Sequence, residues 1–252
     1  MSEAMMRGGM SGRIAMSSAF IRAKDPCGSE AVACEFSAAP LDALLAAGPW
    51  RTFRWHFGQR HYSGAYWSAT EQAHVIFESR LELARLLFAD FDRKVSRIVA
   101  QPFLMTAEVD GAVRRHVPDF LLMTGSGPLV VDVKPASKLA KEDVAFALGW
   151  ARGIVDDHGW RYEVWSEPPP IRLKNLRFLA GYRRSALFDP ALLKWVRSGV
   201  VTGMALEDAF EATEQADTRL VRSAVLHLLW TGRLTTDLDR VLSRGSIVRR
   251  AS

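Results

Sequence analysis

Two aspartates and a lysine interrupt an otherwise apolar stretch, HVPDFLLMTGSGPLVVDVKP, at residues 116–135. They are Asp119, Asp132 and Lys134, and ionised side chains are costly to bury without partners. Two neighbouring carboxylates repel each other unless a cation lies between them, and hard oxygen ligands in an open site suit Mg²⁺. A lysine beside that ion is suited to hold or deprotonate a water and to offset charge on a phosphoryl transition state. The stretch therefore predicts a Mg²⁺ site for phosphoryl chemistry, with Mn²⁺ as a substitute ion.

This chemistry requires a β-hairpin that brings the three residues together. If the turn is centred between Ser126 and Gly127, Asp119 faces Lys134 on the opposite strand. Asp132 then lies on the same face as Lys134, because side chains alternate along a strand. The residues expected on the opposite, core-facing side are Phe120, Leu122, Val131 and Val133. The register is an assumption here, and a slip of one residue would scatter the cluster.

A third carboxylate would complete the metal shell, and the segment before the hairpin offers one. Residues 70–92 predict a helix, because apolar residues recur there at helical spacing. The apolar stripe consists of Phe77, Leu81, Ala84, Phe88 and Phe91. Glu78 is adjacent to Phe77 and can face the end of the sheet, so it is the first candidate. Glu82, one turn later, is the reserve candidate.

Turn signals divide the chain around these residues. A short helical pattern begins at residue 39, a basic and aromatic stretch that pairs as strands follows it, and Ser68 or Thr70 is expected to cap the 70–92 helix. Asp110-Gly111 is a hairpin signal between VSRIVAQPFLM and AVRRHVPDFLLM, and the second of these continues through GSGP into LVVDVK. This pattern predicts three antiparallel strands in a meander.

Beyond the meander, residues 139–157 predict a helix that ends near Gly159, and YEVWSE predicts a strand. Residues 171–184 fit either a helix or a strand. From Asp189 onward the pattern is mostly helical, with a helix in DTRLVRSAVLHLLW and a short end strand at SIVRR. The predicted order is therefore helix, three strands, helix and strand, followed by a small helical tail.

The composition is that of a globular protein of 252 residues with a net charge of +5. We expect residues 1–38 to be poorly ordered, residues 39–185 to form the main domain, and residues 186–252 to form a small helical domain. Only Cys27 and Cys34 are present, which argues against a zinc module or a disulfide scaffold and fits a reducing cytosol. No apolar run approaches the ~20 residues of a membrane span, and no secretory signal is evident.

Five basic residues and no acidic one lie within residues 171–184: Arg172, Lys174, Arg177, Arg183 and Arg184. Interleaved Phe178 and Tyr182 fit contact with a phosphate backbone, and a solvated face is the alternative. A second basic cluster, open to the same two interpretations, contains Arg51, Arg54, Arg60 and His61. His116 alternates away from the Asp119 face, so a structural or surface role is expected for it.

The pattern Pro118-Asp119, then Asp132-Val133-Lys134 on the next strand, with an upstream helical glutamate, resembles the PD-(D/E)xK nuclease superfamily. Further stretches are similar to the TnsA-type endonuclease subunit of heteromeric transposases, over roughly residues 60–184. They are FESRLE at 77–82, DFD at 90–92, IVAQPF at 98–103, RRHVPDFLL at 114–122, VVDVKP at 130–135, GWRYEVWSE at 159–167 and NLRFLAGYRR at 175–184. The tail after residue 185 resembles the winged-helix-like C-terminal part of that family.

The resemblance implies a metal-dependent DNA endonuclease that cuts the 5′, non-transferred strands at transposon ends. It implies metal binding by Asp119, Asp132, the Val133 carbonyl and Glu78, and a water-positioning role for Lys134. The partners it implies are double-stranded DNA, a DDE-type transposase and an AAA+ regulator, in the cytoplasm at the nucleoid, with no membrane. The implied fold is α/β, with a restriction-endonuclease-like core of a mixed sheet flanked by helices. A stand-alone restriction or repair nuclease and a catalytically silent DNA-binding scaffold subunit are the alternatives.

Overall fold

The computed structural model describes residues 18–51, 62–211 and 216–251. The strands are β1 (Phe20–Lys24), β2 (Glu30–Glu35), β3 (Gly64–Ser68), β4 (Ala73–Phe77), β5 (Val95–Ala100), β6 (Leu104–Val109), β7 (Ala112–His116), β8 (Phe120–Thr124), β9 (Gly127–Val133), β10 (Arg161–Trp165), β11 (Leu234–Thr235) and β12 (Arg249–Arg250). The helices are α1 (Leu41–Leu45), α2 (Arg80–Phe91), α3 (Ala136–Leu139), α4 (Glu142–Asp157), α5 (Pro170–Leu179), α6 (Pro190–Gly199), α7 (Leu206–Phe210) and α8 (Thr218–Trp230). The fold is therefore α/β.

A mixed sheet with the strand order β10-β9-β8-β5 forms the centre of the molecule. β8 is antiparallel to both β5 and β9, whereas β10 runs parallel to β9. The parallel connection needs a crossover, which α4 supplies between β9 and β10. The helix expected over 139–157 is confirmed as α4, its end is marked by Gly159 at φ +80°, and the predicted YEVWSE strand is confirmed as β10.

The predicted three-strand meander is wrong in its strand count. VSRIVAQPFLM divides into β5 and β6, and AVRRHVPDFLLM divides into β7 and β8. A proline lies within each break, Pro102 between β5 and β6 and Pro118 between β7 and β8, and proline cannot donate to a sheet ladder. The β6–β7 hairpin, with Asp110-Gly111 at its turn as predicted, leaves the mixed sheet and joins a second one.

The second sheet has the order β2-β1-β6-β7 and corrects the expectation of disorder for the part of residues 1–38 that the structure describes. β1 pairs antiparallel with β2 and with β6. Ile21 and Ala23 alternate inward and are buried, together with Val32 of β2. They pack against Phe103 and Met105, so these strands are held by long-range burial that short segments do not reveal.

The helix predicted over 70–92 begins later than expected. Residues Ala73–Phe77 are a strand whose buried Val75 and Phe77 alternate, and they pair with β3. α2 starts at Arg80 with Ser79 as its N-cap, so neither Ser68 nor Thr70 caps it. The Ser79 Oγ accepts a hydrogen bond from the Glu82 backbone N–H at 3.1 Å, which is the side-chain interaction typical of a helix N-cap. Glu78 therefore precedes the helix, which corrects its predicted position.

Two hydrophobic cores lie on the two faces of the mixed sheet. The first contains Phe120, Leu122, Val131 and Val133, which confirms the predicted core-facing side of the hairpin. The second contains the alternating residues Leu121 and Val130, together with Trp150 and other α4 residues. The ambiguous segment 171–184 begins as α5, whose Leu176 and Leu179 pack in the first core.

The C-terminal segment is mainly helical, with a two-stranded ladder of β11 and β12, and both the predicted α8 helix and the end strand are confirmed. Most of α8 is buried in the same core as the mixed sheet, and the rings of Phe91 and Trp230 lie 5.3 Å apart. The described part of residues 186–252 is thus packed onto the central layer through α8. No helix in the described ranges is long and apolar enough to cross a bilayer.

Candidate functional site

The β8–β9 hairpin places Asp119 and Asp132 opposite each other. Phe120 pairs with Val131, and Thr124 with Gly127, so the turn is shifted from its predicted place and Asp119 does not face Lys134. The Thr124 hydroxyl accepts the Ser126 N–H bond and donates to the Gly127 carbonyl, which fixes this tighter turn. The register differs from the assumed one by two residues, so alternation is preserved and the predicted faces remain correct.

Asp119 lies just before β8 and bonds across to β9. Its Oδ2 accepts the Val133 N–H bond at 2.6 Å and lies 3.6 Å from the Lys134 Nζ. Burial raises the pKa of the Asp119 carboxyl to about 6, against the lowering effect of Lys134 and with a further rise from Asp132. The ammonium group of Lys134 therefore does not fully offset the cost of ionising the Asp119 carboxyl in this partly buried position.

Asp132 is completely buried, with 0 % exposure. Its Oδ2 accepts hydrogen bonds from the Tyr162 hydroxyl and from His116 Nε2, the latter at 2.7 Å. Its Oδ1 has no hydrogen-bond partner among the described residues. The prediction that His116 points away from the aspartates is therefore wrong, because its ring contacts Asp132. Val117 and Pro118 separate β7 from β8, so strand alternation does not carry through from His116 to Asp119.

Lys134 follows β9, and neighbouring backbone groups hold it at the sheet end. Its N–H donates to the Trp165 carbonyl at 2.9 Å, and its carbonyl accepts the Ser166 hydroxyl at 2.7 Å. The side chain is one-third exposed, with Asp119 as its ion-pair partner within the described ranges. The Lys134 ammonium can therefore reach solvent while the Lys134 backbone stays fixed.

Glu82, the reserve candidate, is the helical acid whose carboxyl is coupled to the charge of Asp119. Burial raises the pKa of the Glu82 carboxyl to about 7, and the next contribution is the charge of Asp119. Glu82 also accepts the Glu78 N–H bond at 2.7 Å. Glu78 itself has other partners, since it accepts from Gln101 Nε2 at 2.7 Å and lies 3.9 Å from the Arg51 guanidinium. The charge coupling to Asp119, together with the separate partners of Glu78, thus favours Glu82 over Glu78 as the third acid.

Gln101 is a site residue that sequence reasoning missed. It is buried, it has a φ of +47°, and its backbone N–H donates to the Asp119 carbonyl at 2.9 Å. Its side chain binds both Glu78 and the Arg51 N–H. A non-glycine residue at positive φ is strained and persists where several contacts hold it. The sequence feature that indicates Gln101 is its polar side chain directly before Pro102, inside an otherwise apolar stretch.

The donor set fits a hard divalent cation. No three His, Cys, Asp or Glu side chains of the described residues form a ready-made metal shell. Mg²⁺, however, is usually bound through one or two carboxylates and keeps several waters. Asp119 and Asp132 supply two carboxylates, and the unpartnered Oδ1 of Asp132 is a buried acceptor that a cation would satisfy. The Val133 carbonyl stays a predicted ligand.

The five predicted DNA-binding residues divide into two groups. Arg172 pairs with Asp239 at 3.0 Å, and Arg183 donates to the Trp67 carbonyl at 2.7 Å, so both have structural partners. Lys174, Arg177 and Arg184 are exposed. In the second cluster Arg51 lies beside Glu78, whereas Arg54, Arg60 and His61 lie outside the described residues.

A basic cavity of about 620 Å³ lies beside α6 and α8. Its cationic lining residues are Arg93, Lys194, Arg197 and Arg233, with no carboxylate among the lining residues. Sequence reasoning missed it because these cations come from separate segments that only tertiary packing brings together.

No family model matches this chain, and no curated protein matches it. The interpretation of the site therefore rests on the residues themselves, their geometry and the sequence resemblance described above.

Proposed function

We propose that this protein is a Mg²⁺-dependent DNA endonuclease. The observation that carries the proposal is the arrangement at the end of the mixed sheet. Asp119 and Asp132 lie opposite each other, Lys134 is 3.6 Å from Asp119, and one oxygen of Asp132 is unpartnered among the described residues. Such a pair of carboxylates beside a lysine, one of them fully buried, suits a site that binds a cation and a phosphodiester together.

Each residue of this cluster would have a separate role in metal binding or in catalysis. Asp119, Asp132 and the Val133 carbonyl would hold the metal, with Glu82 in the place first expected for Glu78. Mg²⁺ held by these residues would supply Lewis-acid stabilisation of the charge on the phosphate. Lys134 orients the attacking water and offsets charge as the water oxygen bonds to phosphorus and the P–O3′ bond breaks. The products are a 5′-phosphate and a 3′-hydroxyl.

The architecture supports this proposal. α2 is followed by β5, β8 and β9, then by the α4 crossover and β10, with the acids at one end of the resulting mixed sheet. This is the flanked mixed sheet that the resemblance to restriction-endonuclease-like nucleases implies. The β6–β7 hairpin would then be an insertion between β5 and β8.

DNA is the proposed substrate because exposed cations lie outside the acidic cluster. Lys174 and Arg177 are exposed on α5, and Arg184 follows it. Backbone phosphates are recognised mainly by such cations, without sequence choice. Following the resemblance, we propose that the strands cut are the 5′ strands at transposon ends, with a DDE-type transposase and an AAA+ regulator as partners, at the nucleoid in the cytoplasm.

A strand-specific cleavage assay tests the function. Full-length protein is incubated with Mg²⁺ and a labelled transposon end, alone and with the transposase and AAA+ subunits. We expect 5′-strand cuts in the complete mixture and none with Asp119→Asn protein. Site-specific cutting by the protein alone would favour the stand-alone nuclease, and complementation by Asp119→Asn protein would favour the silent scaffold.

A further inference from the structure

The Asp132 carboxylate is held by donors from two other strands. His116 at the end of β7 and Tyr162 of β10 both contact Oδ2, the former through Nε2 at 2.7 Å. A carboxylate oxygen only accepts, so His116 donates through Nε2. The second oxygen, Oδ1, is buried and has no partner within the described residues.

A second buried aspartate shows what a structural carboxylate looks like in this protein. Asp90 is 7 % exposed, and both of its oxygens are satisfied. Oδ2 accepts from the Tyr66 hydroxyl at 2.7 Å and the Ala69 N–H at 3.0 Å, while Oδ1 accepts from the Ser68 hydroxyl and the Thr70 N–H, each at 2.7 Å. Asp90 thereby ties α2 to the β3–β4 turn.

Asp132 differs from Asp90 because both of its donors bind one oxygen. An acceptor left bare in the interior is destabilising, so a purely structural network would be expected to satisfy it. Terminal carboxylate torsions are soft, and two donors on Oδ2 restrict that rotation. The arrangement therefore fixes which oxygen remains available.

The two donors are themselves fixed by packing. The His116 ring lies edge-on to Trp150, with ring centroids 5.9 Å apart at 79°. The Tyr162 ring lies 5.1 Å from the Arg152 guanidinium carbon, and Tyr162 is buried. Groups that hold a ligand in place through a second layer of contacts typically contribute a roughly 10- to 100-fold effect on metal affinity.

We propose that His116 and Tyr162 are positioning residues that hold Oδ2 of Asp132 and so leave Oδ1 for a divalent cation. The inference rests on the proposed function only in requiring a cation at this site. It assigns the cation's affinity partly to two side chains that do not touch it.

The test is Mn²⁺ binding to the full-length protein, measured by isothermal titration calorimetry and by the paramagnetic resonance signal of free Mn²⁺. We expect Tyr162→Phe and His116→Leu each to weaken Mn²⁺ binding by about 10- to 100-fold. His116→Gln keeps an N–H donor, so it should bind Mn²⁺ considerably more tightly than His116→Leu. Thermal unfolding and near-ultraviolet circular dichroism would check that each variant is folded.

Tyr66→Phe is the matched control, because it removes the same hydroxyl–aspartate bond from Asp90. It should lower the unfolding temperature without changing Mn²⁺ affinity. Wild-type affinity in folded Tyr162→Phe, or equal affinities for His116→Leu and His116→Gln, would overturn the positioning role and leave the proposed nuclease intact. Should Tyr162→Phe fail to fold, the His116 pair decides. Absence of Mn²⁺ binding by the wild-type protein would overturn both proposals.

Discussion

The Nζ of Lys134 lies 3.6 Å from Oδ2 of Asp119, the same oxygen that accepts the Val133 N–H bond. One ammonium thus serves a region that also contains the carboxyls of Asp132 and Glu82. Burial and neighbouring negative charge raise the pKa of the Asp119 and Glu82 carboxyls, and further positive charge would lower both pKa values. A divalent cation is the simplest source of that charge, and several measurable consequences follow from the arrangement.

Asp119→Asn, Asp132→Asn and Lys134→Met should each abolish Mg²⁺-dependent strand cleavage. The first two remove charge that would hold the cation, and the third removes the group that orients water, while all three keep the approximate side-chain size. Plasmid nicking and circular dichroism would measure activity and folding. Asp110→Asn, in the exposed β6–β7 turn, is the control and should cut at the wild-type rate. Normal cleavage by any of the three would contradict the assigned roles.

Glu82→Gln should reduce cleavage more than Glu78→Gln. Glu82 is coupled to Asp119, whereas Glu78 is bound by Gln101 and lies near Arg51. We expect about a 100-fold or larger decrease for Glu82→Gln, in the range seen when a group that stabilises a transition state is removed, and a decrease of less than about 10-fold for Glu78→Gln. Single-turnover cleavage rates at saturating Mg²⁺ would rank the pair. The reverse order would restore the first prediction from sequence.

Asp119→Asn should stabilise the protein at about pH 7.5 when metal is chelated. The folded pKa of Asp119, about 6, lies above its unfolded value of 3.8. The stabilising contribution of the protonated carboxyl to the free energy of unfolding is therefore fully present below pH 3.8 and is lost as pH rises through 6. Its ionised form therefore destabilises the metal-free fold at about pH 7.5, by roughly 1 to 3 kcal/mol for a shift of this size. Urea unfolding in EDTA would measure the gain, which should shrink as the pH is lowered toward the unfolded pKa. A decrease in stability above the folded pKa would argue against this balance.

Duplex binding should be mainly electrostatic, and α5 should contribute to it. The double variant Lys174→Gln, Arg177→Gln should reduce the slope of log K against log[salt] by about 0.9 for each phosphate that it no longer neutralises. Fluorescence anisotropy with a labelled duplex, in a series of salt concentrations, would give the slope. Lys94→Gln with Arg219→Gln removes the same charge from other exposed positions and should change the slope less. Equal slopes for the two double variants would place the DNA contact elsewhere.

His227 should make the fold sensitive to acid. Burial lowers the pKa of this imidazole, against the hydrogen bond from Nδ1 to the Tyr182 carbonyl at 2.7 Å. The unfolded chain therefore binds the proton first, so stability falls as pH drops below the unfolded pKa, near 6.5, and levels off below the folded pKa. His227→Asn keeps a donor for Tyr182 and should show a smaller fall in unfolding temperature between about pH 7.5 and about pH 5.5. His74→Asn changes an exposed residue of β4, so it is the control and should retain the wild-type pH dependence.

Local pattern was sufficient for the features that depend on alternation and on turn chemistry. The period of two in FLLM and LVVDV assigned Phe120 and Val131 to one core, and a register error of two residues did not disturb that assignment. Asp110-Gly111 and Gly159 each marked a chain reversal or a helix end, because few other residues adopt positive φ at low cost. α4, α8 and β10 followed from the same local rules.

Contacts between distant segments determined the N-terminal strands and the surroundings of the site residues. The energy of such contacts depends on partners that are far away in the sequence, so no short segment reveals them. The N-terminal strands form because Ile21 and Val32 find Phe103 and Met105 across the second core. Glu82, whose carboxyl is coupled to the charge of Asp119, lies in the first turn of α2 because Ser79 caps the helix there.

The aspartate environment is the clearest example of this dependence. Asp119, Asp132 and Lys134 were identifiable as charged residues in an apolar hairpin. The structure shows that Asp132 is wholly buried, that His116 and Tyr162 bind one of its oxygens, and that the other oxygen has no partner within the described chain. This environment forms only when three strands come together. The residue type shows that a buried charge needs a partner, because an unpaired charge is costly in the interior. Only the packed fold determines which carboxylate oxygen receives a hydrogen bond.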